Sequence, residues 1–97
     1  MKVVLDPAAV AELREAALFY EDCREGLGQE FLTSVATAIG AIARRPTLWR
    51  RLKGRFRRCL VHRFPYGIIY ALENDTVYVA AVMHLKRRPC YWESRHN

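Results

Sequence analysis

Three apolar segments of strand length follow one another in the C-terminal half of the chain, and they constrain the fold more than any other feature. They span residues 55–61, 68–72 and 76–83, are together rich in Val, Ile and Tyr, and are separated by turn residues. Glu73-Asn74-Asp75-Thr76 fits a two-residue hairpin, because Asn and Asp tolerate the positive φ angles of such turns. The sequence therefore predicts an antiparallel meander. The last segment is apolar at nearly every position, which is typical of a strand covered on both faces.

Two helices are predicted before this sheet. Asp6-Pro7 gives the first a capping carboxylate and a proline at its first position, so it should begin at Pro7. Gly26-Leu27-Gly28 should end this helix, with glycine as its left-handed cap. The second helix should end at Arg44-Arg45-Pro46, where cations meet its negative terminus and proline cannot continue it. The apolar stripes of the two helices are Val10, Leu13, Ala17 and Tyr20, then Phe31, Val35, Ala38, Ile39 and Ile42.

With a short first strand at Val3-Val4-Leu5, the element order is β-α-α-β-β-β. We therefore expect an α+β fold in which a helical hairpin packs on an antiparallel sheet. The stretch between Pro46 and Gly54 is expected to be a loop, with Trp49 sealing a core edge. Residues 1–97 leave room for one domain only.

Composition excludes several classes of protein. The chain is 52% apolar and 27% charged, and no segment approaches the roughly 20 apolar residues that span a bilayer. No signal peptide is evident after Met1, so we expect a cytoplasmic protein without membrane contact. The three cysteines lack Cys-x-x-Cys spacing, which argues against a disulfide framework or a zinc ribbon. No metal or cofactor is expected.

The positive charge is concentrated in one part of the chain. Residues 1–30 hold 3 basic and 7 acidic side chains, whereas residues 31–97 hold 13 basic and 3 acidic ones. No carboxylate occurs between Phe31 and Leu72. Such an imbalance favours an acidic partner, either nucleic acid, ribosome or an acidic protein segment.

Two motifs stand at the predicted ends of the strands. Arg63-Phe64-Pro65-Tyr66 leads into the second strand of the meander, and His84-x-x-x-Arg88-Pro89-x-Tyr91-Trp92 follows the third. With the element order, the chain length and the basic sheet, these motifs resemble the RelE/ParE superfamily of toxins from type II toxin–antitoxin modules. The resemblance covers essentially the whole chain. It implies a small toxin masked by an antitoxin whose acidic C-terminal segment wraps around it.

This superfamily has two activities, and fold resemblance does not choose between them. RelE-like members cut messenger RNA on the ribosome, and that resemblance would make Arg63, His84, Arg88, Tyr91 and Lys53 catalytic. As a histidine, His84 would be able to serve as acid or base in that mode. The loop offers Lys53 as its single lysine among arginines, which stay protonated and are poor bases.

ParE-like members instead poison DNA gyrase and need no catalytic group. In that mode Arg57, Arg58 and Arg51 would bind the target through phosphate or carboxylate. The scarcity of lysine puts this interpretation slightly ahead of the RelE-like one. The antitoxin is expected to contact Val10, Leu13, Leu18, Phe19 and Trp92, and to use the exposed sheet face. A non-toxic RNA-binding or interaction module is a third hypothesis.

Overall fold

The structure, a computed structural model, describes residues 1–95. Two helices pack on one face of a five-stranded sheet of order β1-β5-β4-β3-β2. The elements are β1 (Lys2–Leu5), α1 (Pro7–Cys23), α2 (Leu27–Arg44), β2 (Arg51–Lys53), β3 (Phe56–Leu60), β4 (Tyr66–Glu73), β5 (Thr76–His84) and a 3₁₀ turn (Glu93–Arg95). The predicted α+β fold, a helical hairpin followed by the β3–β4–β5 meander, is confirmed.

The sheet differs from the expected one in two respects. β1 pairs with β5 in parallel, so the sheet is mixed and only β2 to β5 are antiparallel. β2 lies in the stretch that was expected to be a loop, and it pairs with the start of β3. β2 consists of three exposed residues and shows no apolar alternation, so the sequence pattern does not predict it.

The first helix begins where the sequence predicts. The Asp6 carboxylate accepts a hydrogen bond from Ala8 N at 2.8 Å, and Pro7 occupies the first position of the helix. Asp6 is buried, and its other oxygen accepts the hydroxyl of Tyr78 from β5. One side chain thus caps α1 and fixes it to the sheet.

The turn between the helices differs from the prediction. α1 ends at Cys23, and Gly26, with φ of 87°, begins α2 instead of ending α1. The Glu21 carboxylate accepts hydrogen bonds from the backbone nitrogens of Gly26 and Gly28, both at 2.9 Å. A residue of α1 therefore satisfies the free amides at the start of α2.

Each face of the sheet carries its own apolar cluster. The helix face buries the cluster that includes Phe31, Ile68 and Tyr70. The second face, defined by Ile69, Ala71, Ala80, Ala81 and Met83, is covered by the C-terminal segment at Cys90, Tyr91 and Trp92. β5 is therefore covered on both sides, as its composition predicts.

Gly28 is required by the close approach of the two helices. A Cβ at this position would lie 2.6 Å from the backbone oxygen of Ala17, which cannot move away without displacing α1. We predict that Gly28→Ala lowers the free energy of unfolding by about 1–3 kcal/mol, the usual cost of overpacking. Chemical denaturation followed by circular dichroism measures it.

Gly40→Ala is the matched control in the same helix. A Cβ at residue 40 would meet only Arg44 Nη1, at 3.6 Å. This variant should gain up to about 1 kcal/mol from helix propensity. Equal effects of the two substitutions would contradict the packing argument.

Candidate functional site

The loops at one end of the sheet bring three of the predicted site residues together. Tyr66 pairs with His84 in register, and Leu85 N donates to Pro65 O at 2.9 Å. The turn that carries Arg63 therefore lies beside the loop after β5, where Arg88 is exposed. Arg88 has no side-chain partner among residues 1–95.

Arg63 is held in this turn by the helical hairpin. Its backbone is left-handed, with φ of 75°. Its guanidinium lies 3.0 Å from Glu30 Oε1 on α2 and 5.5 Å from the centre of the Phe64 ring. Glu30 also pairs with Arg24 at 3.2 Å. Hydrogen bonds from Arg63 and then Arg24 hold the pKa of Glu30 below its ordinary value.

His84 occupies the end of β5, beside the C-terminal loop. Its Nδ1 accepts a hydrogen bond from Lys86 N at 3.1 Å, and its ring meets that of Tyr66 edge to face at 5.1 Å. His84 lines a cleft of about 330 Å³ between α1 and β5, together with Phe19 and Arg87. Because Nδ1 accepts, the neutral ring would carry its proton on Nε2.

The Tyr91 side chain joins the C-terminal segment to α1. Its hydroxyl donates to Glu12 Oε2 at 2.7 Å, and the guanidinium groups of Arg87 and Arg95 lie 4.1 and 4.9 Å from its ring centre. Burial, and then the hydrogen bond and charge of Glu12, raise the pKa of Tyr91 far above its ordinary value. This hydroxyl is therefore a poor proton donor or acceptor at neutral pH.

Lys53 is not brought to the same place. It pairs with Phe56 at the first residue of β3, whereas Arg63 follows the last residue of that strand. Its Nζ lies 3.1 Å from Glu93 Oε1, and this hydrogen bond raises the pKa of Lys53. A lysine held protonated in this way is not poised to act as a base.

The three arginines predicted to bind a target divide between the two sheet faces. Arg57 lies on the helix face and donates to Trp49 O at 2.7 Å, so it fixes the loop before β2. Arg58 lies on the second face, since its register partner Ile69 belongs to that cluster. Arg51 is the register partner of Arg57 at the β2 edge of the sheet, and it lines a groove of about 530 Å³ together with Arg58. This basic groove consists of Trp49, Arg50, Arg51, Leu52, Arg58 and Leu60.

The basic groove extends toward Leu85, at the start of the loop that carries Arg88. The stem of Arg58 crosses Gly67, where a Cβ would lie 3.0 Å from Arg58 Cδ and 3.5 Å from Leu85 Cδ2. Leu60 is 57% exposed there. The open part of the second face thus combines unpaired cations with exposed leucines.

The residues predicted to bind the antitoxin separate into three places. Val10, Leu13 and Leu18 line a mainly apolar groove of about 440 Å³ between α1 and α2, which we call the interhelical groove. Phe19 lies on the other side of α1, in the cleft beside His84. The expectation for Trp92 is wrong in this structure, because its side chain is 0% exposed and packs 4.8 Å from the Phe56 ring. Much of the sheet face expected to be exposed is likewise covered by this C-terminal segment.

Sequence reasoning missed the two carboxylates that organise the site, Glu12 and Glu30. Arg63, the partner of Glu30 at the site, lies 33 residues away along the chain, and Arg95, the partner of Glu12, lies 83 residues away, so no local pattern could indicate these pairs. Among residues 1–95 there is no cluster of His, Cys, Asp or Glu suited to a metal ion. No helix in that range is long and apolar enough to cross a membrane.

A helical hairpin on one face of a small mixed sheet, with a partly open and basic second face, defines the RelE/ParE-like α+β class. The family model described as ParE toxin of the type II toxin–antitoxin system parDE matches residues 3–89. The chain therefore belongs to the ParE toxin family.

A solved structure titled "Chromosomal ParDE TA system from P. aeruginosa" shares this fold. Its TM-score is 0.78 at 9% sequence identity, and the match covers 89% of this chain and 97% of that one. A comparison with curated protein sequences finds no match.

The contact between Glu30 and Arg63 yields a prediction about pH. Arg63→Ala should raise the pKa of Glu30 toward its ordinary value, because the largest cause of the lowering is removed. A lowered carboxyl pKa stabilises the fold above the unfolded-state pKa, and this contribution is lost as the pH falls through the folded value. The variant should therefore lose less stability on acidification than the parent.

An NMR titration of the Glu30 side chain measures the pKa directly. Arg24→Ala is the companion variant: it removes the second hydrogen bond to Glu30 and should also raise the pKa of that carboxyl. An unchanged pKa in Arg63→Ala would show that the ion pair is not formed in solution.

Proposed function

We propose that this chain is the toxic component of a type II toxin–antitoxin module and that it inhibits DNA gyrase in the ParE-like mode, without cutting RNA. Membership of the ParE family supports the toxin role. The proposal places the protein in the cytoplasm, where gyrase acts. Its neutralising partner would be a cognate antitoxin with an acidic C-terminal segment.

We prefer gyrase inhibition over RNA cleavage because the groups that a ribonuclease would need lie apart or are bonded to other residues. Cleavage by an RNA 2′-hydroxyl requires a proton acceptor and a proton donor on either side of the phosphate. The Tyr91 hydroxyl is bonded to Glu12, and Lys53 is paired with Glu93 at the other end of β3. Arginine remains a cation at any working pH. His84 is the single predicted acid–base group that the described residues leave without an acidic partner, and one such group does not supply both the proton acceptor and the proton donor. The surface therefore favours binding over proton transfer.

The basic groove and Arg88 are the proposed target-binding surface. Arg51, Arg58 and Arg88 have no side-chain partner among the described residues, so their guanidinium groups can make bidentate contacts to phosphate or carboxylate. Exposed Leu52 and Leu60 line the same groove as Arg51 and Arg58 and add apolar area. Such a surface fits an acidic protein face or a protein–nucleic acid complex.

The interhelical groove is the proposed antitoxin site. Its lining is mainly apolar, with Arg14 and Glu21 at its border. An amphipathic helix buries its apolar face in such a groove through residues spaced by three and four. Leu18 is 63% exposed in the free chain, which gives this groove an anchoring position.

We predict that Arg88→Ala abolishes growth arrest when the chain is induced without its antitoxin. Loss of the exposed guanidinium should raise the concentration needed to inhibit gyrase supercoiling at least tenfold, the equivalent of about 1.4 kcal/mol. Antitoxin affinity should stay near the parent value. Arg45→Ala, which removes an exposed arginine at the end of α2, is the matched control and should remain toxic.

RNA 5′-end mapping in the same cultures separates the modes of action. Arrest with a DNA-damage response and no new RNA ends supports gyrase inhibition. New ends within translated codons would instead establish a RelE-like ribonuclease, and absence of arrest in the parent chain would favour a non-toxic interaction module. Full toxicity of Arg88→Ala would remove this residue from the target surface.

A second prediction concerns the antitoxin. Leu18→Glu should weaken binding of the antitoxin encoded beside this chain at least tenfold, because it places a charge in an apolar groove. Growth arrest should persist, now poorly neutralised by co-expressed antitoxin. Leu48→Glu changes a similarly exposed leucine outside the groove and should behave as the parent. Equal loss of binding in both variants would exclude a specific role for the groove.

A further inference from the structure

The C-terminal segment, residues 85–95, carries Arg88 and covers the second face, yet regular structure does little to hold it. Its only helical part is the 3₁₀ turn at Glu93–Arg95. Its backbone hydrogen bonds from Arg87, Glu93 and Arg95 go to residues only three positions earlier. Leu85 N is its one backbone donor bonded to a distant residue, Pro65 O. Side chains must therefore hold most of the segment in place.

Glu12 of α1 is the centre of these side-chain contacts. Its carboxylate accepts from Tyr91 Oη at 2.7 Å and from both terminal nitrogens of Arg95, at 2.9 and 3.0 Å. Arg87 Nη1 lies 3.5 Å from Glu12 Oε2. Three side chains of residues 85–95 thus converge on one carboxylate, whose side chain is only 14% exposed. Bidentate contact with arginine is the geometry that most strictly fixes both partners.

The backbone of β5 explains why a carboxylate is needed at this place. β1 pairs with β5 only as far as Val79, and Asp6 N then donates to Val79 O as the chain turns into α1. From Ala80 onward, no strand among residues 1–95 lies beside this edge of β5. Glu12 accepts from Val82 N at 3.0 Å, and Arg95 donates to Ala80 O at 3.0 Å. The Glu12–Arg95 pair therefore satisfies backbone groups that a longer β1 would have satisfied.

We infer that Glu12 is the positioning residue of this protein: it fixes residues 85–95 against the edge of β5 and thereby sets the place of Arg88. The role assigned to Arg88 rests on the proposed function, whereas the anchoring of the segment does not. Glu12 touches no target in this scheme and acts only through the residues that it holds.

The charge on Glu12 is as important as its position. Burial lowers the pKa of Arg95, but the hydrogen bond and charge of Glu12, with smaller effects of Tyr91 and Asp6, raise that pKa above its ordinary value. In Glu12→Gln, an amide NH₂ would replace one acceptor and face guanidinium donors, so at least one of the Arg95 contacts would be lost. The partly buried Arg95 would then lack its counter-ion.

Hydrogen exchange of backbone amides, read by mass spectrometry, tests the anchoring. In Glu12→Gln, amides in residues 85–95 should exchange at least tenfold faster, while those of the central β4–β5 pairing stay unchanged. Glu15→Gln removes the same charge from the same helix at an exposed position without a side-chain partner among residues 1–95. It should exchange like the parent. Unchanged exchange in residues 85–95, or a uniform increase along the chain, would overturn the inference.

Arg95→Gln removes the same contact by changing the other partner. It replaces Glu12→Gln in the test if that variant does not fold. It should loosen residues 85–95 in the same way. The double variant should exceed either single variant by less than twofold, because all three lose the same ion pair. Additive effects would mean that the two residues act separately and would contradict the proposed role.

Gyrase inhibition supplies the functional readout. Glu12→Gln should require at least tenfold more protein for half-inhibition of supercoiling, with antitoxin affinity unchanged, whereas Glu15→Gln should match the parent. Local loosening without loss of inhibition would overturn the link between Glu12 and Arg88. Failure of the parent chain to inhibit gyrase would overturn the proposed function instead, and the exchange experiment would still decide whether Glu12 anchors the segment.

Discussion

Burial of β5 on both faces is the constraint on which the rest of the structure depends. Its apolar side chains face the helix cluster at Val77, Val79 and Val82 and the second cluster at Ala80, Ala81 and Met83, with a register shift between Val79 and Ala81. Two helices can cover only one side of a small sheet, so the chain must return to cover the other. Residues 85–95 do so, and the loop that carries Arg88 begins beside the turn of Arg63, where Leu85 N donates to Pro65 O. The placement of the candidate site is thus a consequence of closing the core.

Local signals made much of this fold predictable. Asp6-Pro7 and Asn74-Asp75 act within a few residues, and the start of α1 and the β4–β5 turn lie where these signals indicate. The parallel pairing of β1 with β5 joins residues more than 70 positions apart, and β2 has no apolar pattern. Neither is visible in a local window. The composition of β5 indicates that its second face must be covered, but it does not indicate which segment covers it.

The candidate site was less predictable than the fold, because tertiary structure decides whether a charged side chain pairs within the protein or stays available to a partner. Nothing in the local sequence distinguishes Lys53, Arg57 and Arg63 from Arg51, Arg58 and Arg88, since all six are cations in the basic part of the chain. The first three bond to Glu93, Trp49 O and Glu30, and so fix loops and turns. The sequence gives no indication that Glu93 and Glu30 are the carboxylates that pair with Lys53 and Arg63. Trp92 shows the same limit, since an aromatic residue near a terminus can equally seal a core.

This division of the cations bears on the kind of activity that the surface can support. Catalysis of RNA cleavage needs a group whose pKa allows it to change protonation during the reaction. Burial and then the hydrogen bond to Glu12 raise the pKa of Tyr91, and the hydrogen bond to Glu93 raises the pKa of Lys53, so both pKa values move away from neutrality. The groups without a side-chain partner among the described residues, in the basic groove and at Arg88, are arginines. Fixed positive charges beside exposed leucines are suited to holding an acidic surface. A toxin that acts by binding requires nothing more from these residues, provided that the segment carrying Arg88 is held rigidly.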